Sequence, residues 1–594
     1  MNRTKYRLHL NSVLALCLVV CLFGIAGLFF DFYYDLNDDV LIKDIVSGAY
    51  SGSPDAHSIQ MLYPVSFIIS LLYTILPVMP WQGLFLCGCH GICFYLIAKR
   101  SLSFTGKTIN KIFLLLSEGV LVIALFLWEL VMVQYTVTSA LLAACACFLV
   151  FTQKNDVNVA AIILVILAFN IRSEMLLLMS PFIALTGILK WSQEKTVFSL
   201  DNAKKYLGLI AAILLGMGLS LLIDFIAYSG TEWKTFRDFF DARTRVYDYT
   251  WYPPYEEAKE FYHEIGLTEV QVELIDNYNF GLDEAIDADT LWSITEYAEE
   301  NSVRRPLAER LKEAVINYKW RTFHEQDAPY NYIVLAAYAM VIGLAIVCKD
   351  KSAIWKLPFM WIFRTIPWMY VILAKRVPPR ISHPLYYIEL IILCAWMFSY
   401  SEKKKETEDR HTKENRHTKE NRHGGLRSSL ALCVVLLFLC GIIQLPQVWQ
   451  NLENEMSRRE SVNAVMQKFD AYAKAHPDNY YYMDVYSTVD FSEKMFQNAD
   501  NSHKNYDILG GWASGSPLQK QATVAFHEDM LSRAELLLLD NFYFVAEDGA
   551  DTTFLEAFYR GQGMEISVSE KEQITAANKT LCIYKLDVVG NIIN

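Results

Sequence analysis

Long runs of apolar residues recur along the chain and constrain its fold more than any other feature. A helix needs about 20 residues to cross the ~30 Å hydrocarbon core of a bilayer. The runs that reach or approach this length lie at residues 13–30, 62–79, 81–98, 112–133, 138–152, 157–170, 175–189, 206–229, 331–348, 357–374, 384–400 and 428–446. They hold much of the 53% of the chain that is hydrophobic. The sequence therefore predicts a polytopic α-helical membrane protein.

The charges between these runs predict the orientation of the helices, because Lys and Arg are enriched in cytoplasmic connections. Residues 99–111 hold four Lys/Arg and no acid, whereas 230–330 hold 22 Asp/Glu against 11 Lys/Arg. The pattern agrees with a cytoplasmic N-terminus only if one run before residue 99 does not span. We assign that role to 62–79, which has prolines near both ends and would lie at the interface. This predicts eleven spanning helices and an extracellular C-terminal domain in a plasma-membrane protein; the alternative is that 62–79 spans and the charge bias is weaker.

The polar segments then define the domain organisation. Residues 1–446 form a multipass module with outer loops at 31–80 and 230–330. The repeat-containing stretch 401–427, with nine Lys/Arg and six acids, is expected to be a disordered cytoplasmic linker. Residues 447–594 begin with a helical pattern and continue with short β-like runs such as "NYYYMDVY" and "TLCIYKLDV". Strands that alternate with helices predict an extracytoplasmic α/β domain.

An acidic cluster directly follows the first apolar run, in "DLNDDVLIKDIVSGAYSG" (35–52). Asp38 and Asp39 begin an amphipathic stretch, and acids are favoured at a helix N-terminus. A carboxylate held at the membrane surface can act as a general base on a hydroxyl group. The alternative is a solvated loop that helps to fix orientation, and we expect that environment for Asp35 and Asp44.

A basic turn, "ILAKRVPPRISHPLYY" (372–387), is the main exception to the charge pattern. Lys375, Arg376 and Arg380 lie on the predicted outer side, where cations are disfavoured. Clustered Arg and Lys suit a phosphate group, since Arg binds two oxygens at once. The alternative is that these side chains extend to lipid headgroups.

Two further polar stretches interrupt apolar or aromatic sequence. "NIRSE" (170–174) separates two short helices, and Arg172 and Glu174 are expected to neutralise each other at this turn, which would lie close to membrane depth. "WKTFRDFFDARTRVYDYTWYPPYEE" (233–257) combines Tyr and Trp with Arg243 and Arg245. Aromatic residues of this kind suit sugar faces or lipid tails, or anchor loops at a membrane interface. Both stretches are candidates for substrate binding.

The layout of residues 1–400 resembles the GT-C class of integral-membrane glycosyltransferases. That class includes protein O-mannosyltransferases, the catalytic subunits of oligosaccharyltransferase and lipid A aminoarabinose transferases. "NDDVLIKDIVSGAYSG" stands where the class has an acidic pair, "FNIRSEMLLLMSP" resembles an Arg-containing turn of its bacterial members, and "KRVPPRISHPLYY" resembles its phosphate-binding late loop. Within the class, the chain is similar in plan to multipass proteins of Gram-positive bacteria.

The resemblance implies that Asp38 is the base, assisted by Asp39, and that a divalent cation could bind these two carboxylates. Lys375, Arg376 and Arg380 would hold the donor phosphate. Where several branches have "KPPL" or "HPPL", this chain has "PDAHSIQMLYP", so His57 is expected to replace part of that feature. His383, in the basic loop, is a further candidate for substrate binding.

These expectations describe a transferase that moves a sugar from a polyprenyl-phosphate donor to a cell-surface glycan or protein. Its partners are the bilayer, the lipid-linked donor and the acceptor, with no nucleic acid and no certain cofactor. A transporter or flippase of lipid-linked saccharides is one alternative and would require charges buried within helices and an internal repeat. A polysaccharide polymerase or ligase is another.

Overall fold

The structure is a computed structural model that describes residues 3–153, 158–194, 196–301, 306–410, 417–496, 501–527 and 531–591. Only the backbone is described for 3–8, 401–410, 417–428 and 591. Nine helices in the described part are long and apolar enough to cross a membrane, as expected of a polytopic helical membrane protein. A small β-sheet lies near the C-terminus.

The first 230 residues form nine helices and one pair of very short strands. In chain order they are α1 (Arg3–Phe29), β1 (Tyr33–Tyr34), α2 (Asn37–Ser47), α3 (Tyr63–Ile75), α4 (Trp81–Ser101), α5 (Thr108–Val131), β2 (Met132–Val133), α6 (Tyr135–Thr152), α7 (Val159–Ile171), α8 (Ser173–Trp191) and α9 (Leu200–Ala227). Strands β1 and β2 pair in parallel. This pairing places the start of α2 beside the start of α6.

The polar segment 230–330 is mainly helical, and apolar helices resume after it. The elements are α10 (Thr231–Tyr249), α11 (Lys259–Glu264), α12 (Glu269–Asp276), α13 (Ala288–Asn301), α14 (Leu307–Phe323), α15 (Tyr330–Cys348), α16 (Ala353–Leu373), α17 (Pro379–Arg410) and α18 (His417–Ala475). Prolines at 378 and 379 separate α16 from α17 and fix the basic turn between them.

Eleven spanning helices were predicted from the sequence. Nine of them are the helices of the described part that are long and apolar enough to cross a membrane, and the other two, α7 and α16, are not among these. Helix α7 has only 13 residues, and α16 carries Lys356 and Arg364 among its 21. Helix α3, from the region predicted not to span, also has 13 residues. At 1.5 Å per residue it is about 20 Å long, which is shorter than the hydrocarbon core.

Two predicted boundaries fall within helices of the structure. Helix α18 runs without a break through Pro446 into the C-terminal part, so no linker separates residue 446 from 447. The backbone is helical at 401–410 and 417–427, where a disordered linker was expected, whereas 411–416 lie outside the described residues. The reason is that Lys, Glu and Arg are good helix formers and these stretches continue two long apolar helices.

The C-terminal part is an α/β unit around a five-stranded sheet, as predicted. It contains β3 (Tyr480–Met483), β4 (Tyr506–Ile508), α19 (Pro517–Val524), α20 (Arg533–Leu537), β5 (Phe542–Glu547), α21 (Thr553–Gly561), β6 (Met564–Ala576) and β7 (Lys579–Asn591). The strand order is β4-β3-β5-β7-β6; β3 pairs in parallel with β4 and β5, and β7 is antiparallel to β5 and β6. Strand β4 was not anticipated, because it has only three residues.

The segment 230–330 and the C-terminal unit share one hydrophobic core. Residues of α10 and α12, such as Val246 and Ile275, pack in one cluster with Tyr480 of β3 and Phe544 of β5. Asn279 is fully buried between the two, and its amide group donates to Asp484 Oδ1 at 2.8 Å. The two predicted extracytoplasmic masses are therefore one folded body.

This body also joins the first loop through buried ion pairs. Arg459 of α18 bonds Asp35 Oδ1 at 2.8 Å, and Lys504 bonds Asp44 Oδ2 at 2.6 Å. Asp44 is only 5% exposed, and its pKa is lowered, against the effect of burial, by the ammonium groups of Lys43 and Lys504. The expectation that Asp35 and Asp44 are solvated was wrong, because Arg459 and Lys504, which pair with them, lie more than 400 residues away in the sequence.

Candidate active site

Asp38 lies in the first turn of α2, where acidic side chains complement the helix dipole. Its side chain is half-buried, and Asp38 Oδ1 accepts a hydrogen bond from the indole Nε1 of Trp512 at 2.9 Å. A hydrogen bond to a carboxylate is stronger than one between neutral groups. The C-terminal unit therefore contributes directly to the environment of the predicted base.

Trp512 is positioned by a rigid glycine-containing loop, "LGGWASGS" (509–516). Gly511 has φ +85°, which glycine adopts without strain. The Arg533 guanidinium donates to the Leu509 carbonyl oxygen at 2.8 Å and to Ser514 Oγ at 2.9 Å. Sequence reasoning did not identify Trp512. The only signal was a tryptophan between glycines, which marks a shaped loop but does not reveal what the ring contacts.

Asp39, the second acid of the pair, is fully buried. Its Oδ1 accepts a hydrogen bond from the backbone N–H of Tyr135 at 3.0 Å, while its Oδ2 is buried and has no hydrogen-bond partner among the described residues. Burial raises the pKa of Asp39 well above its usual range, and the nearby charges of Asp35 and Asp38 add to this effect. A side chain without solvent access does not touch a substrate. Asp39 therefore anchors α2 to the start of α6.

Arg172 lies at the turn between α7 and α8 and points toward α2. Its Nε pairs with Glu174 at 3.1 Å, as predicted, and a terminal nitrogen donates to Gln60 Oε1 at 2.5 Å. Burial alone would lower the pKa of Arg172, but the pKa is raised because Tyr135 and, after it, the charges of Glu174 and Asp38 favour the cation. Arg172 and Asp38 are thus within electrostatic range of each other.

The basic turn contains three cations in different environments. Lys375 (φ 55°) ends α16 in a left-handed conformation and its side chain is exposed. Arg376 pairs with Asp248 at 3.0 Å and lies 5.2 Å from the centre of the Tyr249 ring. Arg380, in the first turn of α17, is half-buried. Within the described part of the chain, the side chains of Lys375 and Arg380 have no ion-pair or hydrogen-bond partner.

Two electrostatic links connect this turn to residues near Asp38. Burial raises the pKa of Asp35, and Arg459 and, more weakly, Arg380 oppose this effect. Arg380 is therefore within electrostatic range of the loop that leads into α2. On a second path, Tyr249 interacts electrostatically with Arg172 and lies beside Arg376. Arg376 and Arg380, two of the three predicted phosphate-binding residues, thus lie in the same neighbourhood as the acids around Asp38.

His383 lies one turn after Arg380 on α17. Its Nδ1 is 2.8 Å from Glu129 Oε1, and its ring is 4.1 Å from the ring of Tyr330. Glu129, at the end of α5, is only 4% exposed and is within electrostatic range of Asp35. His383 therefore borders the same region, and Glu129 is a further charged member that sequence reasoning missed because it ends an apolar helix.

The remaining predicted substrate-binding residues, His57, Arg243 and Arg245, contact other parts of the protein. His57 Nδ1 bonds Asp55 at 2.7 Å and its ring stacks on Trp233 at 4.5 Å, which packs the first loop against the start of α10. Arg245 pairs with Glu299. Arg243 lies over the rings of two tyrosines. These contacts give His57 and Arg245 structural roles and leave Arg243 beside an aromatic surface.

The family resemblance implied that a divalent cation could bind the carboxylates of Asp38 and Asp39. Among the described residues, no group of three or more His, Cys, Asp or Glu side chains is arranged to hold a metal ion. Asp39 Oδ1 is also engaged by the N–H of Tyr135. All twelve cysteines are free thiols.

The chain matches no protein-family model and no curated protein.

Proposed function

We propose that the protein is a GT-C-type membrane glycosyltransferase that moves a sugar from a polyprenyl-phosphate donor to an acceptor on the outer face of the membrane. The observation that carries the proposal is the half-buried carboxylate of Asp38, held by Trp512 and within electrostatic range of Arg172. Arg380, which has a free side chain in the described part of the chain, is linked electrostatically to the same loop. A base and phosphate-binding cations are the two elements that this reaction requires.

The reaction would proceed by displacement at the anomeric carbon. Asp38 takes the proton of the acceptor hydroxyl while the hydroxyl oxygen bonds to the anomeric carbon of the donor sugar. The bond between that carbon and the phosphate oxygen breaks, and polyprenyl phosphate leaves with the bonding electrons. Attack opposite the leaving group inverts the anomeric configuration. The proton remains on Asp38 until solvent removes it.

The cations of the basic turn would stabilise the departing phosphate. Arg380 is the strongest candidate because its guanidinium is not committed to another side chain, and it lies in the first turn of α17 where the helix dipole also favours an anion. Arg376 is shared with Asp248 and would contribute less. Lys375 is exposed and also suits lipid headgroups.

Loss of the phosphate contact tests the proposal directly. Arg380→Gln is expected to lower kcat/KM for the donor by about 10- to 150-fold, because a hydrogen bond to a charged group contributes about 1.5–3 kcal/mol. The assay follows polyprenyl phosphate released from sugar-labelled polyprenyl-phosphate glucose, mannose and galactose. Membrane vesicles of the expressing cells supply the acceptor. Arg245→Gln is the matched control, since Arg245 pairs with Glu299. Equal rates for both variants and the wild type, or no release from any donor, would contradict the proposal.

Trp512 is proposed to position Asp38 and does not itself react. Trp512→Phe keeps the aromatic ring but removes the N–H that bonds Asp38. We expect kcat to fall about tenfold or more, as the loss of one charge-assisted hydrogen bond implies, while the donor KM stays within about twofold of the wild type. Steady-state kinetics in the same vesicles measure both constants. An increase in donor KM without a change in kcat would refute the positioning role.

A flippase for lipid-linked saccharides is the second candidate. The fully buried pair Arg364–Glu389, between α16 and α17, favours it because charges inside membrane helices often mark transport pathways. A flippase would move labelled donor between leaflets without releasing polyprenyl phosphate.

A polysaccharide polymerase or ligase would use the same site as a transferase, with a growing glycan as the acceptor. The length of the product would distinguish it from a transferase that adds a single sugar.

A further inference from the structure

Three tyrosines from separate parts of the chain meet beside the basic turn. Tyr247 of α10 stacks on Tyr278 with ring centres 4.0 Å apart, and Tyr278 lies 5.7 Å from Tyr486 of the C-terminal unit. The guanidinium of Arg243 lies 5.5 Å and 5.9 Å from the rings of Tyr247 and Tyr278. We call these four residues the tyrosine surface. Tyr486 is 53% exposed, whereas Tyr247, Tyr278 and Arg243 are half-buried, so the surface meets solvent at its Tyr486 edge.

The geometry of this surface is fixed by its backbone. Tyr278 has φ 64°, a conformation that is strained for an aromatic residue and persists only where surrounding contacts hold it. Gly510 provides one such contact, since a Cβ at this position would overlap the Tyr278 carbonyl oxygen. The next residue, Asn279, bonds Asp484 and the N–H of Val485 at 2.8 Å and 3.2 Å. These bonds hold the Tyr278 turn against the loop that carries Tyr486.

Polar groups surround the rings. The pKa of Tyr278 is raised by burial and is also affected by the charges of Arg243, Asp248 and Arg376. The Asp248–Arg376 pair is about one-third exposed on each side and borders the surface. Arg243 Nε is buried without a hydrogen-bond partner in the described part of the chain. A buried polar atom without a partner is rare in folded proteins, and Arg243 Nε adds one unsatisfied donor beside the rings.

We propose that the tyrosine surface binds a saccharide chain. The C–H face of a pyranose ring is apolar and packs on an aromatic ring, while its hydroxyl groups bond charged side chains such as Asp248 and Arg376. A lipid surface is a poorer occupant, because Asp248 and Asp276 line the region and would repel anionic headgroups. Since Arg376 belongs to the basic turn, the saccharide is assigned as the acceptor, an assignment that rests on the proposed function.

Binding of defined oligosaccharides tests this inference without catalysis. The full chain in nanodiscs is titrated by calorimetry with hexasaccharides of glucose, mannose, galactose and N-acetylglucosamine. We expect at least one to bind, and Tyr486→Ala to weaken its binding about 2- to 12-fold, as the loss of one aromatic contact implies. Tyr486→Phe keeps the ring and is expected to bind within about twofold of the wild type.

The outcomes of this experiment distinguish a failure of the saccharide site from a failure of the proposed function. Absence of binding for all four hexasaccharides, or equal affinity in the wild type and Tyr486→Ala, would overturn the saccharide site. The calorimetry contains no donor and measures no turnover, so loss of turnover in Asp38→Asn does not affect the binding result. If lipid covers the surface instead, brominated lipids would quench the added fluorescence of Tyr486→Trp, and this too would overturn the inference.

Discussion

Replacement of Asp38 with asparagine is expected to lower the rate of sugar transfer about 10²- to 10⁴-fold, the usual contribution of a general base. Asparagine has nearly the same size and keeps an oxygen that accepts from Trp512 Nε1, so the site keeps its shape. It does not take a proton from the acceptor hydroxyl. The loss should appear in kcat, while the donor KM changes little because the phosphate contacts remain. Release of polyprenyl phosphate under saturating donor measures the effect.

Asp31→Asn provides the matched control for this prediction. Asp31 lies seven residues earlier, in the same loop, and pairs with Lys494 at the edge of the C-terminal unit. Partly exposed ion pairs contribute about 0–1 kcal/mol to stability, so this variant should fold and turn over donor at close to the wild-type rate. Asp38→Asn that retained the wild-type rate would remove Asp38 from the reaction. The flippase would then be the better explanation of the site.

The residue pattern was sufficient to identify α2 and its acidic start, whereas only the family resemblance favoured Asp38 over Asp39 as the base. Adjacent residues on a helix point about 100° apart, so one of Asp38 and Asp39 faces the interior and the other faces the site. Which residue does so depends on the rotation of α2, and the Asp39–Tyr135 hydrogen bond sets that rotation. Tyr135 lies 96 residues later, and its backbone N–H leaves no trace in the sequence pattern.

Contacts between residues far apart in the sequence also explain why other parts of the site and of the fold could not be predicted. Composition and charge indicated a membrane module and an α/β unit, since both depend on local patterns. The contact of Trp512 with Asp38 and that of Arg459 with Asp35 join residues more than 400 positions apart. The core shared by α10 and the β3–β5 sheet is likewise invisible to periodicity. The basic turn was predicted because an unusual composition at a helix junction is itself a local signal.

A buried ion pair supports the two helices on either side of that turn. Arg364 of α16 and Glu389 of α17 are 1% and 0% exposed, and Arg364 Nε lies 2.9 Å from Glu389 Oε1. Tyr338 donates to Glu389 at 2.7 Å, and Arg364 donates to Thr322 at 3.1 Å. At 1.5 Å per residue the pair lies about 14–18 Å along the helices from the Arg376–Arg380 turn. The pair therefore holds α16 and α17 together at a distance from the cations of the basic turn that the proposed reaction uses.

Arg364→Met is expected to be the most destabilising single change, because it leaves the Glu389 carboxylate buried without its partner. Breaking a buried pair from one side costs about 3–5 kcal/mol, whereas replacing both charges with apolar side chains is often nearly neutral. The double variant Arg364→Met/Glu389→Met should therefore be more stable than Arg364→Met alone, despite the loss of the Tyr338 and Thr322 bonds. Thermal unfolding of the three proteins in one detergent measures the order. If the double variant unfolds at a lower temperature than Arg364→Met, the charges contribute independently, and the pair does not hold α16 against α17.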